Sequence, residues 1–200
     1  MKIPDYSGYD RVFKGIKEER IPTPPEQVIS GYDKVFKSQE QDVTPKGKEQ
    51  LKVDEGNRLK VYKDSLGIDT IGVGFNLQEP ANKEVFKKVT GMTVEEAKKG
   101  KAITQEQSDL LLEHTVGNSE KEVRGLVKNF ENLTPDQQDA LTNFVFNVGI
   151  NTAKTFKNTL AAVERGDGKA AAEGIRKSKY YKQVGARGER IAKTLETIKA

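Results

Sequence analysis

From residue 44 onward the apolar positions keep a helical rhythm, broken once by a short stretch of alternation. Thr44-Pro45 reads as an N-cap followed by proline at the first helical position. The segment it opens carries Leu51 and Val53 and stops at Gly56, a residue suited to a left-handed cap. The period then changes to two: Leu59 and Val61 alternate with Arg58 and Lys60, a strand pattern. Asp64-Ser65-Leu66-Gly67 reads as a turn with Gly67 at positive φ, and Ile68, Thr70 and Ile71-Gly72-Val73-Gly74 as the returning strand. Helical spacing resumes over Asn82–Gly100, where Val85, Phe86, Val89 and Met92 predict one or two short helices. Thr104-Gln105-Glu106-Gln107 is a capping box. It opens a helix with Leu110, Leu111, Leu112 and Val116, then Val123 and Leu126, with Gly117 as the place where it bends or ends. Thr134-Pro135 starts a further helix with Leu141, Phe144, Val145 and Val148 on one stripe, and Gly166-Asp167-Gly168 is a turn. The pattern predicts an α+β chain, predominantly α, with one small antiparallel sheet.

Residues 1–43 are of another kind. Ser7-Gly8-Tyr9-Asp10-Arg11-Val12-Phe13-Lys14 recurs as Ser30-Gly31-Tyr32-Asp33-Lys34-Val35-Phe36-Lys37, 23 residues on. Ile21-Pro22-Thr23-Pro24-Pro25 lies between the copies as a stiff, extended linker. Two copies are too few for a solenoid. The segment reads either as an arm resting loosely on the domain or as a twice-used docking peptide for a repetitive partner. The predicted division is an N-terminal extension, 1–43, and a domain, 44–200.

Composition narrows the class. With 34% hydrophobic and 32% charged residues in 200, and a mean hydropathy of −0.71, the chain has enough apolar content for one modest domain or two small lobes. The net charge of +4 is uneven: the extension holds seven basic and eight acidic side chains, leaving 27 and 22 for the rest. From Thr155 the last 46 residues hold eleven basic and five acidic side chains. A basic body favours anionic partners. No zinc-finger spacing, phosphate loop or basic helix interleaved with aromatics is present, so nucleic acid is not the expected partner. There is no cysteine, which excludes a disulfide framework and thiolate metal sites. No apolar run approaches membrane-spanning length, and the start, Met1-Lys2-Ile3-Pro4-Asp5-Tyr6, lacks the apolar core of a signal peptide. No metal or other cofactor is expected. The one histidine, His114, is assigned no role.

Candidate chemistry gathers at the hairpin. The end of the first helix delivers Glu55, the strand-turn junction Asp64, and the returning strand Thr70. Two carboxylates and a hydroxyl suit hydrolysis of a glycosidic bond: one carboxyl donates a proton to the leaving oxygen, and the other stays ionised. Glu55, at the end of what reads as a hydrophobic helix, is the better candidate for the acid. Asp64 in a polar turn is the better anion, and Thr70 could hold the water. Spacing alone is also what an ordinary polar hairpin would show.

The segments Asp54-Glu55-Gly56, Arg58-Leu59-Lys60-Val61-Tyr62-Lys63-Asp64 and Thr70-Ile71-Gly72-Val73-Gly74 resemble the signature of phage-type lysozymes, glycoside hydrolase family 24. Those enzymes carry a Glu, eight residues, an Asp, five residues and a Thr, the spacing of Glu55, Asp64 and Thr70. Likeness continues at Phe144–Gly149, Thr155–Leu160 and Ser178–Gln183, so that it spans roughly Thr44 to the C-terminus. Phe75 departs from the pattern, standing where the T-even group has a histidine in a structural salt bridge.

The resemblance implies a two-lobed lysozyme-like fold: a small sheet in the N-terminal lobe, a helical C-terminal lobe, and a helix joining them. It implies Glu55, Asp64 and Thr70 as catalytic residues. Phe146, Asn147, Tyr180 and Gln183 would be substrate-binding positions, with Arg187 holding Glu55 and Arg190 pairing with Asp54. The implied activity is cleavage of the β-1,4 bond between N-acetylmuramic acid and N-acetylglucosamine in bacterial peptidoglycan. Such an enzyme, as endolysin or virion-associated lysozyme, resides in the host cytoplasm before release or in the phage particle, and acts on the cell wall. A phage structural protein is then a candidate partner for residues 1–43. The rival readings are a non-catalytic wall-binding or structural module of a phage particle, and a transglycosylase with a single acid.

Overall fold

The computed structural model describes residues 43–64 and 67–200. The duplicated motif lies outside the described residues. The first helix, α1 (Pro45–Glu55), starts as its sequence predicts: the Thr44 hydroxyl accepts the Gly47 amide at 3.0 Å. Asp139 in turn takes the Thr44 amide at 3.0 Å and its hydroxyl in a closer contact, tying the start of α1 to a helix 90 residues on. α1 is not the hydrophobic helix expected. Only Leu51 on it is buried, and Val53 is 76% exposed.

A three-stranded antiparallel sheet follows, with strand order β1 (Arg58–Lys63), β2 (Asp69–Gly72) and β3 (Phe75–Asn76). The run expected as one returning strand is two strands joined by a turn at Val73-Gly74, because Gly72 and Gly74 adopt φ of 62° and 70°. Every residue of β2 is buried. The register shifts between Arg58 and Tyr62, so β1 is bulged where it passes the returning chain.

Two helices, α2 (Pro80–Thr90) and α3 (Val94–Lys98), cover the sheet. Phe86, Val89, Val94 and Ala97 bury against Ile71, Phe75 and Leu77 as one cluster, with Leu59 and Val61 at its edge. Phe75 therefore serves as a core side chain, 1% exposed. The long helix α4 (Gln105–Leu126) opens on the predicted capping box: the Thr104 amide donates to Gln107 Oε1 at 3.0 Å, and the Gln107 amide to Thr104 Oγ1 at 3.1 Å. It runs unbroken through Gly117, which is buried. Leu111 faces the sheet cluster and Val123 the helical one, so α4 links the two.

The remaining chain is helical: one 3-10 turn at Phe130–Asn132, then α5 (Pro135–Val148), α6 (Ile150–Ala153), α7 (Lys157–Glu164), α8 (Gly168–Arg176), α9 (Lys179–Val184) and α10 (Ala186–Glu196). Leu141, Phe144, Ala171, Ile175, Ile191 and Leu195 are among its buried core. A third cluster, formed by Leu51, Val73, Leu112, Val116 and partly buried Phe146, lies between the lobes. The molecule is thus the predicted lysozyme-like α+β fold, mostly helical, with a small antiparallel sheet in its first lobe.

Candidate active site

Glu55 is the last residue of α1, where Gly56, at φ 71°, ends the helix. A carboxylate there meets the negative end of the helix dipole, and the fold supplies the compensating cation from the far lobe. Arg187, in the first turn of α10, donates through Nη1 to Glu55 Oε1 at 2.5 Å. The same guanidinium donates through Nε to Asn143 Oδ1 at 2.8 Å and lies 3.5 Å from Asp54 Oδ2. Asn147 reaches Glu55 Oε1 from α5 at 3.5 Å. Glu55 is therefore an ion-paired carboxylate with a side chain 23% exposed, rather than a group sunk among apolar neighbours.

Asp54 faces the other way and is more deeply buried, at 6%. It accepts from Arg190 Nη2 in a short contact, from Gln50 Nε2 at 3.1 Å and from Asn143 Nδ2 at 3.3 Å. Two carboxylates on consecutive residues are thus matched by two guanidiniums one helical turn apart on α10. The balance makes burial tolerable, since an unmatched charge here would cost several kcal/mol, about 3 or more. Behind this network a pocket of about 360 Å³ runs between α1, α5 and α10. It is lined by Asp54, Arg187 and Arg190 but by none of Glu55, Asp64 and Thr70, so it is the reverse face of the network and not the cleft.

The hairpin supplies the other wall. Asp64 caps its own turn: Oδ1 accepts the Ile68 amide at 2.8 Å, the backbone amide donates to Ile68 O, and Gly67 donates to Asp64 O, both at 3.0 Å. Thr70, 3% exposed on β2, donates its hydroxyl to Ile68 O at 3.1 Å. With its proton committed, the Thr70 oxygen can act only as an acceptor toward anything else. Next to it Asp69 is held by Lys63 of β1 at 2.7 Å and Lys98 of α3 at 2.6 Å. Hydrogen bonds from Lys63 and Lys98 draw the Asp69 carboxyl down to about 2.

Gly74 closes the distance between the halves. A Cβ there would stand 3.7 Å from Glu55 Oε2 and 3.8 Å from the Phe146 ring, at a φ that L side chains avoid. Phe146 and Asn147 are thereby brought to the acid. Gln183 is exposed on α9. Tyr180 is buried at 7%, its ring edge-on to Phe144 at 5.2 Å and Phe156 at 6.5 Å. That is a core setting, with the active-site charges Arg187, Asp54 and Glu55 acting on its hydroxyl.

Two residues of the site are absent from the sequence-based expectations. Asn143 bridges Arg187 and Asp54, and the signal for it was its place four residues before Asn147 on one helix face. Tyr62 stands opposite Thr70 in the ladder with the Arg58 guanidinium 4.7 Å above its ring. Burial, followed by the charge of Glu55, raises its phenol above the usual value. Its signal was weak, because Arg58, Lys60 and Tyr62 alternate as a solvent-facing strand edge would. Among the described residues no group of three or more acidic, histidine or cysteine side chains could hold a metal, and no helix is long and apolar enough to cross a membrane.

Comparison with known proteins agrees with this architecture. The phage lysozyme family model matches residues 52–195. Two proteins of Dictyostelium discoideum, named as probable T4-type lysozymes 1 and 2, are 29% and 31% identical over 158 residues, covering 75% of this chain and 93% of theirs. The pre-baseplate central spike protein Gp5 of Enterobacteria phage T4 is 28% identical over 163 residues, 74% of this chain and 27% of that protein. The match takes in the hairpin, the linking helix and the helical lobe alike, and the chain belongs to the phage lysozyme family.

Proposed function

We propose that the protein is a peptidoglycan hydrolase of glycoside hydrolase family 24, a muramidase cleaving the β-1,4 bond between N-acetylmuramic acid and N-acetylglucosamine. The observation that carries the reading is Glu55 at a helix end, held by Arg187 and Asn147 within reach of the hairpin that bears Asp64 and Thr70. Glu55 acts as general acid on the leaving oxygen. Asp64 stays ionised and offsets the positive charge that develops on the sugar ring. Thr70, whose proton is taken by Ile68 O, accepts from the attacking water and so orients its lone pair. Phe146 and Asn147 line the cleft beside the acid, and Gln183 is exposed for contact with a long polymer. Water attacking opposite the leaving group gives inversion.

The test is digestion of purified peptidoglycan with mass analysis of the fragments. Hydrolysis leaves reducing ends that carry one added water. Anhydro ends would instead assign a transglycosylase, and intact polymer a non-catalytic wall-binding module.

Residues 44–200 form the catalytic domain in this reading, and residues 1–43 serve location. The extension is near neutral while the domain carries the basic excess, so wall affinity belongs to the domain. Two aromatic copies on a stiff linker suit simultaneous engagement of a repetitive protein surface. The likeness to a phage spike protein supports a structural protein of the particle as that partner. A chain starting near Val43 should digest free peptidoglycan at the full rate yet fail to enter particles. Before release the protein would reside in the host cytoplasm or in the virion.

A further inference from the structure

Arg187 spends Nη1 on Glu55 and Nε on Asn143, and its third nitrogen, Nη2, is buried with no hydrogen-bond partner among the described residues. The Tyr180 hydroxyl is in the same condition. Two buried polar groups left without partners are costly, about 1–3 kcal/mol each, and here one is a donor while the other can accept. Tyr180 lies at the start of α9 and Arg187 at the start of α10, joined through the tight turn at Gly185. Phe144 and Phe156 clamp the Tyr180 ring edge-on, so the hydroxyl has little freedom to turn elsewhere. Among charged groups, Arg187 acts on that hydroxyl most strongly, ahead of Asp54, Glu55 and Arg190.

We infer that Tyr180 is a positioning residue, not a sugar-binding one: its hydroxyl receives Arg187 Nη2 through one buried water, and fixes the guanidinium that holds Glu55. A guanidinium carries its donors in one rigid plane. Fixing the edge far from the substrate therefore sets the angle of the Nη1 bond to Glu55. Burial pushes the Tyr180 phenol up to about 12, so it keeps its proton and its acceptor lone pairs throughout the working range. The groups that bear on Glu55 from the surrounding elements are Tyr62 on β1, Asn147 on α5 and Arg187 on α10, while its neighbour Asp54 on α1 takes Arg190. Tyr180 makes no hydrogen bond to Glu55 among the described residues, and its strongest charged neighbour is Arg187.

The inference rests on Glu55 being the acid of the proposed reaction, so Glu55→Gln is measured beside it. Tyr180→Phe, Arg187→Lys and the double variant are assayed in the full chain on a soluble peptidoglycan oligomer across pH. Tyr180→Phe should lower kcat about tenfold with KM unchanged, the size of one lost hydrogen bond to a charged group. In the Arg187→Lys background, which lacks Nη2, the same change should do nothing further. A raised KM with kcat intact, or equal effects in both backgrounds, would overturn the inference. Parent-like activity of Glu55→Gln would remove its premise as well, and is told apart because the acid itself would then be dispensable. If Tyr180→Phe does not fold, NMR of the unaltered chain decides: contacts between Arg187 Nη protons and the Tyr180 ring support the inference, and their absence overturns it.

Discussion

The two walls of the site are built by opposite means. The hairpin wall holds itself. Asp64 and Thr70 are fixed by bonds to Ile68, no more than four residues away, and the whole unit fits within one turn and two strands. The helical wall is fixed across the molecule: Arg187 reaches Glu55 over 132 residues, and Arg190 reaches Asp54 over 136. A local unit can change its chemistry without touching the fold. A long-range ion pair cannot, because the same guanidinium ties α10 to α1 and orients the acid.

Asymmetry of this kind predicts different penalties on the two sides. On the hairpin wall, Asp64→Asn should lower the rate of peptidoglycan digestion by about 10²–10⁴, while thermal melting stays close to the parent. Melting that falls steeply with the rate would show that the hairpin is not self-contained. On the helical wall, Arg187→Met should cost both. It leaves Asp54 and Glu55 without their shared cation, a loss of about 3 kcal/mol read by chemical denaturation, with activity falling as well. A variant as stable as the parent would mean that Arg190 and Asn143 carry the network alone.

Gly74 tests the seam between the walls. Gly74→Ala should cost about 1 kcal/mol from left-handed strain, with little added clash because the new methyl meets Glu55 and Phe146 at ordinary contact distance. The smallest effect belongs to acid. Asp69 is depressed in the folded state, so its contribution is complete above the ordinary carboxylate value, about 4, and is lost as pH falls through about 2. The gap in melting temperature between the parent and Asp69→Asn should therefore close over that window. A gap that persists below it would assign the effect to packing rather than to the Lys63 and Lys98 pairs.

The same asymmetry decides what the sequence discloses. Helix starts at Thr44, Thr104 and Thr134 were legible because capping is local chemistry, and each takes the predicted bond. So was the Asp64–Gly67 turn, whose glycine has φ 78°. The split of the returning strand at Val73-Gly74 was not, since a glycine permits positive φ without demanding it. Periodicity made α1 hydrophobic from two residues, but tertiary packing buried Leu51 and left Val53 in water. In the helical wall nothing local marks Arg187 or Arg190 among eleven basic residues of the last 46. Only likeness to a family pointed to them, and the fold brings both to the acidic pair. Tyr180, matched by the same likeness, is buried at 7%, a packing no local signal in its segment discloses.

The central claim is that Glu55, held at the end of α1 by Arg187, is the proton donor of a wall-cleaving enzyme. It is tested most directly by the initial rate of reducing-end release from purified peptidoglycan by Glu55→Gln, with folding checked by circular dichroism and melting. The amide is nearly the same size, can still hydrogen-bond Arg187 and Asn147 less strongly, and has no proton to give. The account predicts a folded protein with the rate reduced by at least about 10². A folded Glu55→Gln that releases reducing ends at close to the parent rate would contradict it.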